Sequence, residues 1–84
     1  MHTSWIKALV AAVEYGSVEA AARAHNMTRQ GLRKRISNLE AATGVELLAA
    51  DARGTLTKAG EERFKKFQQI LDAADEVLNL EPAA

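Results

Sequence analysis

The sequence predicts an all-α domain that carries one short β-hairpin, and three observations support this fold class. Apolar residues recur at the three- and four-residue spacing of helices along most of the chain. Serine, threonine and glycine residues stand where this periodicity starts and stops. The length of 84 residues and the hydrophobic content of 48% fit one small globular domain. We therefore expect four helices around a single core.

The first two predicted helices are short and lie close together in the chain. We expect Ser4 to cap the first helix, which covers 5–15 and ends at Gly16, a residue that tolerates left-handed dihedral angles. Ser17 is expected to cap the second helix, over 18–25. This helix is rich in alanine, which favours helix formation and allows another helix to approach closely.

The third helix and the hairpin follow the same signals. Thr28 is expected to cap a helix over 29–42 that stops at Gly44. Its buried stripe has the spacing i, i+4, i+7 and consists of Leu32, Ile36 and Leu39. The segment 45–57 has a mixed pattern around Gly54, and it predicts a short hairpin.

The fourth helix is predicted to be long and apolar along its whole length. Thr57 caps it, it runs from Lys58 to about Leu80, and Pro82 closes it, so it spans about 33 Å. The part near Phe64 and Phe67 can pack on the same chain, whereas the distal part has no other helix to cover it. A second copy of the chain is the economical partner. The residues expected in this dimer interface are Phe67, Ile70, Leu71, Ala74, Val77 and Leu78.

The charges are unevenly distributed although they cancel, with 11 Lys and Arg against 11 Asp and Glu. The charged residues within 20–39 are all basic: Arg23, Arg29, Arg33, Lys34 and Arg35. Those within 67–84 are all acidic: Asp72, Asp75, Glu76 and Glu81. This asymmetry indicates an anionic ligand at the middle of the chain.

Two helices joined by a tight turn, with positive charge on the second, form the arrangement of a helix-turn-helix. Here the second helix of the motif is the third predicted helix, over 29–42. Its polar positions lie on the face opposite the buried stripe, and they are Arg29, Gln30, Arg33 and Lys34. Arginine can bind guanine and glutamine can bind adenine in the major groove, and the cap at Thr28 can hold a phosphate. A solvated basic face would show the same periodicity, so the pattern alone leaves both interpretations open.

Three stretches in order and at matching spacing resemble a known family. Residues 16–22 (GSVEAAA) resemble an entry motif GS(V/F)xxAA, 28–44 end in the pattern IxxLExxxG, and 56–60 (LTKAG) match LTxAG. Together they resemble the N-terminal winged helix-turn-helix of LysR-type transcriptional regulators over nearly the whole chain. The molybdate-responsive repressors share a similar domain and are a second possibility at family level.

The resemblance implies a DNA-binding function for this chain. It implies a winged helix-turn-helix over 1–57, with the hairpin as the wing, followed by a linker helix over 58–84 through which a homodimer forms. The dimer would bind double-stranded DNA at an inverted repeat and regulate transcription. The resemblance places Thr28 on a phosphate, and it places Arg29, Gln30 and Arg33 on base edges. Lys34 would contact a base or a phosphate, and Arg53 of the wing would contact the adjacent minor groove or backbone.

The chain departs from the family at three points. The family often has Gln, then Pro or Ser, and Ser where this chain has Arg29, Gln30 and Arg33, so this surface is more cationic. Ala49 and Ala50 stand in the family's LFxR pattern, which removes a wing arginine. The effector-binding domain of the family is absent from the sequence, so we expect no small-molecule effector site in this chain, whether it is a truncated or a free-standing domain.

Other functions have little support in the sequence. There is no cysteine, and neither His2 nor His25 has carboxylates at ligand spacing, so we expect no metal or cofactor. No grouping of catalytic residues indicates an enzyme. Without an apolar run of about 20 residues or a signal peptide, a cytoplasmic, nucleoid-associated protein is expected. The alternative is a protein-interaction module that pairs with a regulator through the fourth helix and binds little DNA.

Overall fold

The computed structural model describes residues 2–50 and 53–78. Within them the chain forms four helices, which confirms the predicted all-α class. The helices are α1 (Thr3–Tyr15), α2 (Val18–Ala24), α3 (Arg29–Thr43) and α4 (Lys58–Leu78). The predicted end of the fourth helix, near Leu80 and Pro82, lies outside the described residues.

Three predicted side-chain caps are confirmed, since each hydroxyl oxygen accepts a hydrogen bond from a backbone N–H three residues later. The distances are 3.0 Å for Ser17, 2.9 Å for Thr28 and 2.9 Å for Thr57. Gly16 and Gly44 adopt left-handed dihedral angles and end α1 and α3, as predicted. The three hydrogen bonds to hydroxyl oxygens satisfy N–H groups that have no partner inside a helix.

The predicted cap at Ser4 is wrong. The helix α1 begins at Thr3, its N-cap is His2, and no side-chain hydrogen bond caps it. The backbone N–H of Trp5 donates to the carbonyl of His2 at 3.1 Å, and the two rings meet edge to face with their centroids 4.9 Å apart. These contacts start the helix earlier and place Ser4 inside its first turn.

The helix α1 is the centre of the fold, because it packs against α2, α3 and α4. Its Ile6 and Leu9 are completely buried, as are Ile36 and Leu39 of α3 and Leu47 after it. The predicted buried stripe of α3 is thereby confirmed. The core fixes the position of α3 and leaves the opposite side of that helix in solvent.

The predicted hairpin is reduced to a single antiparallel bridge between Leu48 and Leu56 in the described residues. The N–H of Ala49 donates to Thr55 at 2.7 Å, and the N–H of Thr57 donates to Leu47 at 3.0 Å. Pairing cannot continue beyond Thr57, because its carbonyl accepts from Glu61 as α4 begins and the N–H of Leu47 donates to Glu40.

Two glycines allow close packing around this bridge. A Cβ on Gly54, whose φ is +71°, would overlap the carbonyl oxygen of Ala12 in α1. A Cβ on Gly60 would overlap the carbonyl oxygen of Leu47. The wing therefore rests directly on the α1 backbone, and the first turn of α4 rests on the wing.

None of the helices within 2–50 and 53–78 is both long enough and apolar enough to cross a membrane.

Candidate nucleic-acid interface

The N-terminal half of α3 presents an exposed cationic surface. Thr28 begins the helix with its hydroxyl oxygen bound to the N–H of Gly31, so the hydroxyl hydrogen stays available to an acceptor. The side chains that follow on the solvent side are all exposed, and they are Arg29, Gln30, Arg33 and Lys34. The structure thus brings five of the six predicted DNA-binding residues onto one end and one side of a single helix.

A shallow depression joins these side chains to a residue that the sequence analysis missed. Its lining consists of Arg29, Gln30, Arg33, Lys34 and Ser37, which we call the recognition surface. Ser37 lies one helical turn after Arg33, so its spacing alone could have indicated it. Its hydroxyl adds a group that both donates and accepts hydrogen bonds to a surface otherwise made of donors and one amide.

The base of the wing borders the recognition surface. Ala50 lines a second depression together with Val18 at the start of α2 and with Arg29 and Arg33. Arg53, the sixth predicted residue, is exposed on the wing and lines neither of these two depressions. The wing thus lies beside the first turns of α3, with its arginine at a separate position.

Glu40 connects α3 to the wing, and the sequence analysis assigned it no role. One of its carboxylate oxygens accepts from the N–H of Leu47 at 2.8 Å and from that of Leu48 at 3.3 Å. Because both donors belong to the first half of the wing, this carboxylate ties the wing to α3. The place of Glu40 in the IxxLExxxG pattern was the available signal.

The recognition surface carries positive charge without internal compensation. Among the described residues, Arg29, Arg33 and Lys34 form no ion pair, and no Asp or Glu lines the depression. Arg23 does pair with Glu19 on α2, at 3.4 Å between two highly exposed side chains. The cations of α3 are therefore available to an anionic partner.

The distal part of α4 exposes apolar side chains. Ile70 is 40% exposed, Val77 67% and Leu78 77%, while Leu71 is half-buried against the core. Phe67 corrects the predicted dimer interface, because it is only 4% exposed and packs in the core of its own chain. Its ring holds α4 on the domain and has almost no surface left for a partner.

No group of three or more His, Asp or Glu side chains within 2–50 and 53–78 is arranged to hold a metal ion.

The family model of bacterial regulatory helix-turn-helix proteins of the lysR family matches residues 3–61. The chain belongs to this family. The predicted resemblance to LysR-type regulators is thereby confirmed, and the matched region contains α1, α2, α3, the wing and the first turn of α4.

Solved structures of LysR-family domains share this fold. The CbnR DBD in a complex with DNA is 31% identical, with a TM-score of 0.84 over 92% of this chain and 90% of that chain. The BenM DBD in a complex with catB site 1 DNA is 26% identical, with a TM-score of 0.83 over 93% of this chain and 85% of that chain. The winged helix-turn-helix prediction is confirmed by these similarities.

Curated relatives of this chain are longer than it is. Uncharacterised HTH-type transcriptional regulators of Mycobacterium bovis and Mycobacterium tuberculosis are 36% identical over 69 residues, which is 81% of this chain and 22% of each relative. The chain therefore spans about a fifth of the length of these curated relatives.

Proposed function

We propose that this chain binds double-stranded DNA in a sequence-specific manner as a homodimer and acts in transcriptional regulation. The observation that carries the proposal is the recognition surface, an exposed and uncompensated cationic side of the second helix of a helix-turn-helix. Membership of a family of bacterial regulators supports it, as do the DNA complexes of similar domains. On this proposal the chain is not an enzyme, and it works in the cytoplasm on the nucleoid.

The recognition helix α3 enters the major groove, whose width of about 12 Å matches the diameter of a helix with its side chains. Arg29 and Arg33 lie one turn apart, and each guanidinium can bind the O6 and N7 atoms of a guanine. The Gln30 amide can pair with adenine in the same way. Lys34 binds a base or a phosphate. These contacts supply the sequence specificity.

Contacts to the DNA backbone set the orientation of α3 in the groove. Thr28 can donate its hydroxyl hydrogen to a phosphate, and the unpaired N–H groups of the first turn of α3 point to the same place. Arg53 extends from the wing to the neighbouring backbone or minor groove. Backbone contacts of this kind position a protein on DNA without reading its sequence.

The homodimer forms through the distal part of α4. The residues that present surface to the partner are Ile70, Leu71, Ala74, Val77 and Leu78. The proposed division places the winged helix-turn-helix at 1–57 and the dimerisation helix at 58–84, continuous with it. Two-fold symmetry then places two α3 helices about 34 Å apart, in successive major grooves of an inverted repeat.

A selection from random double-stranded DNA tests this function. We expect the wild-type protein at moderate salt to enrich an inverted repeat with half-sites about one helical turn apart. Arg29→Ala/Arg33→Ala should enrich none, whereas the control Lys65→Ala/Lys66→Ala, with the same change of charge on exposed positions of α4, should enrich the wild-type repeat. Recovery of unrelated fragments by the wild-type protein would contradict sequence-specific binding.

The exposed apolar residues of α4 also support the second candidate, a module that pairs with a longer regulator through this helix. The loss of the arginine of the family's LFxR pattern, where this chain has Ala50, favours it. The mass in solution and the affinity for DNA separate the two functions. A monomer without affinity for DNA would support the interaction module and contradict the homodimeric DNA-binding protein.

A further inference from the structure

A second cationic site lies in a cleft between α1, the turn from α2 to α3, and α3. The polar side chains that line it are Ser4, Lys7, His25 and Arg35, which are two permanent cations, an imidazole and a hydroxyl. All four can donate hydrogen bonds, and no Asp or Glu lines the cleft.

The floor of the cleft is apolar and well packed. Ala8 and Ala11 of α1 and Leu32 of α3 are buried in the core beneath it, and Met27 of the turn completes this lining. The cleft encloses about 250 Å³, which is below the range of roughly 300–1,000 Å³ that is typical for drug-sized ligands. It has room for a small ligand with an apolar part.

The cations at the rim have no acidic partner among the described residues. Within the part that the structure describes, neither Lys7 nor Arg35 forms an ion pair. The ring of His25 is held at the edge by an edge-to-face contact with Tyr15, at 6.0 Å between the ring centroids. An anion in the cleft would therefore meet positive charge that no residue within 2–50 or 53–78 neutralises.

The position of the cleft separates it from the recognition surface. Arg33 and Arg35 are two residues apart on α3, which turns their side chains about 200° from each other around the helix axis. DNA held by Arg33 consequently leaves the cleft open on the far side of α3. The cationic character of the cleft is thus not explained by DNA recognition.

We propose that this cleft binds a small organic anion. Lys7 and Arg35 hold its oxyanion group by charge-assisted hydrogen bonds, and its apolar body packs on Met27, which is the half-buried side chain of the apolar lining. The absence of an effector-binding domain predicts no small-molecule effector site in this chain, whereas this cleft lies within the DNA-binding domain itself. The proposal does not depend on DNA binding.

Amide chemical shifts of the ¹⁵N-labelled wild-type protein test the proposal, with phenyl phosphate as the probe. We expect saturable shifts at Lys7, Ala8, Met27 and Arg35. Inorganic phosphate should shift the same amides at higher concentration, because it lacks the apolar part. Phenol, which lacks the charge, should give no saturable shifts there.

Matched variants identify the groups that hold the anion. Lys7→Gln/Arg35→Gln should lower the affinity for phenyl phosphate about tenfold for each cation removed. Both residues are exposed, so the variant should fold, and circular dichroism checks this. The control Lys65→Gln/Lys66→Gln carries the same change of charge outside the cleft and should bind phenyl phosphate like the wild type.

Three results would overturn the proposal. The first is a response to phenyl phosphate that is unchanged in Lys7→Gln/Arg35→Gln, and the second is a response to phenol equal to that to phenyl phosphate. The third is displacement of phenyl phosphate by duplex DNA, which would make the cleft part of a DNA interface. If the protein does not bind DNA, duplex DNA will cause no shifts on the recognition surface. That result would contradict the proposed function but would leave the binding of phenyl phosphate in the cleft unaffected.

Discussion

At the scale of single residues, Glu40 has the clearest structural consequence. Its carboxylate accepts two backbone N–H groups, from Leu47 and Leu48, whose side chains are buried in the core. Without this acceptor the two groups have no other partner among the described residues, since the bridge at Leu48 is bonded only through the residues beside it. Glu40 therefore holds the wing beside α3, in addition to the packing at Gly54 and Gly60.

Glu40→Ala should lower the free energy of unfolding by about 1–3 kcal/mol, the usual cost of leaving partly buried donors unsatisfied. Glu40→Gln keeps a neutral acceptor, so it should lower the free energy of unfolding by less than Glu40→Ala does. Glu46→Ala, at an exposed position whose side chain makes no such bond, is the control. Urea denaturation measures all three, and an Ala variant as stable as the wild type would show that the wing is held by other contacts.

Local signals at single residues explain which helix ends could be predicted. Ser17, Thr28 and Thr57 each act on a backbone group three residues away, so the sequence contains the whole interaction. Ser4 has the same chemical type, but the helix starts before it because His2 contacts Trp5 through both backbone and ring. Residue type alone could not choose between these two starting points.

At the scale of elements, the packing of α4 on the wing depends on Gly60. In an ordinary helix interior, replacing glycine with alanine raises the free energy of unfolding by about 1 kcal/mol. At Gly60 the added Cβ would overlap the backbone carbonyl of Leu47, and a backbone atom cannot move aside as a flexible side chain can. The helix must then shift away from the wing.

Gly60→Ala should therefore destabilise the protein, with the opposite sign to the usual effect of this substitution. Gln69→Ala, at an exposed position of the same helix, should change stability by less than about 0.5 kcal/mol. Thermal unfolding followed by circular dichroism compares the two variants. A higher melting temperature for Gly60→Ala would mean that α4 is not packed closely against Leu47.

The distal face of α4 should decide the oligomeric state. Ile70→Asp/Val77→Asp places charges at exposed apolar positions that the proposed dimer buries, so it should weaken dimerisation at least about tenfold. Gln69→Asp adds a charge on the polar side of the helix and is the control. Sedimentation velocity over a concentration series measures this, and an unchanged dimer in the double variant would exclude this interface.

The helices were easier to predict than the hairpin for a physical reason. A helix bonds residues that are four apart, whereas the hairpin needs agreement between distant groups. Its pairing ends where Leu47 donates to Glu40 and Thr57 accepts from Glu61, and both competing partners lie outside the hairpin. The residue pattern within 45–57 therefore cannot indicate that Glu40 and Glu61 take these hydrogen bonds.

At the scale of the whole molecule, the distribution of charge matters more than its sum. The net charge is zero, yet the recognition surface is cationic and the charged residues of the distal α4 are acidic. Binding to DNA should therefore weaken with salt as for a basic protein, because each neutralised phosphate releases counterions. The acidic part of α4 favours orientations in which it points away from DNA.

Lys34→Ala should reduce the slope of log K against log salt concentration by about 1 if this lysine neutralises a phosphate. Lys65→Ala, an exposed cation of α4, should leave the slope at the wild-type value. Fluorescence anisotropy on a labelled duplex at several salt concentrations provides both slopes. Equal slopes for wild type and Lys34→Ala would place Lys34 away from the backbone.

The candidate interface could be predicted as far as it follows the periodicity of one helix. Arg29, Gln30, Arg33 and Lys34 share a side of α3, and the same spacing continued by one turn leads to Ser37. The cleft at Lys7 and Arg35 is different, because it joins residues from three elements that meet only after folding. Its composition is invisible in any single stretch of sequence.

Recognition of bases by α3 is tested most directly by measuring the affinity for every single-base variant of the selected DNA site. We expect Arg33→Ala to lose about 1–3 kcal/mol on the preferred site and to lose discrimination at one base pair of each half-site. Lys65→Ala should keep the wild-type profile. A uniform loss over all variants, with discrimination unchanged, would contradict base contact by Arg33 and leave it with a phosphate.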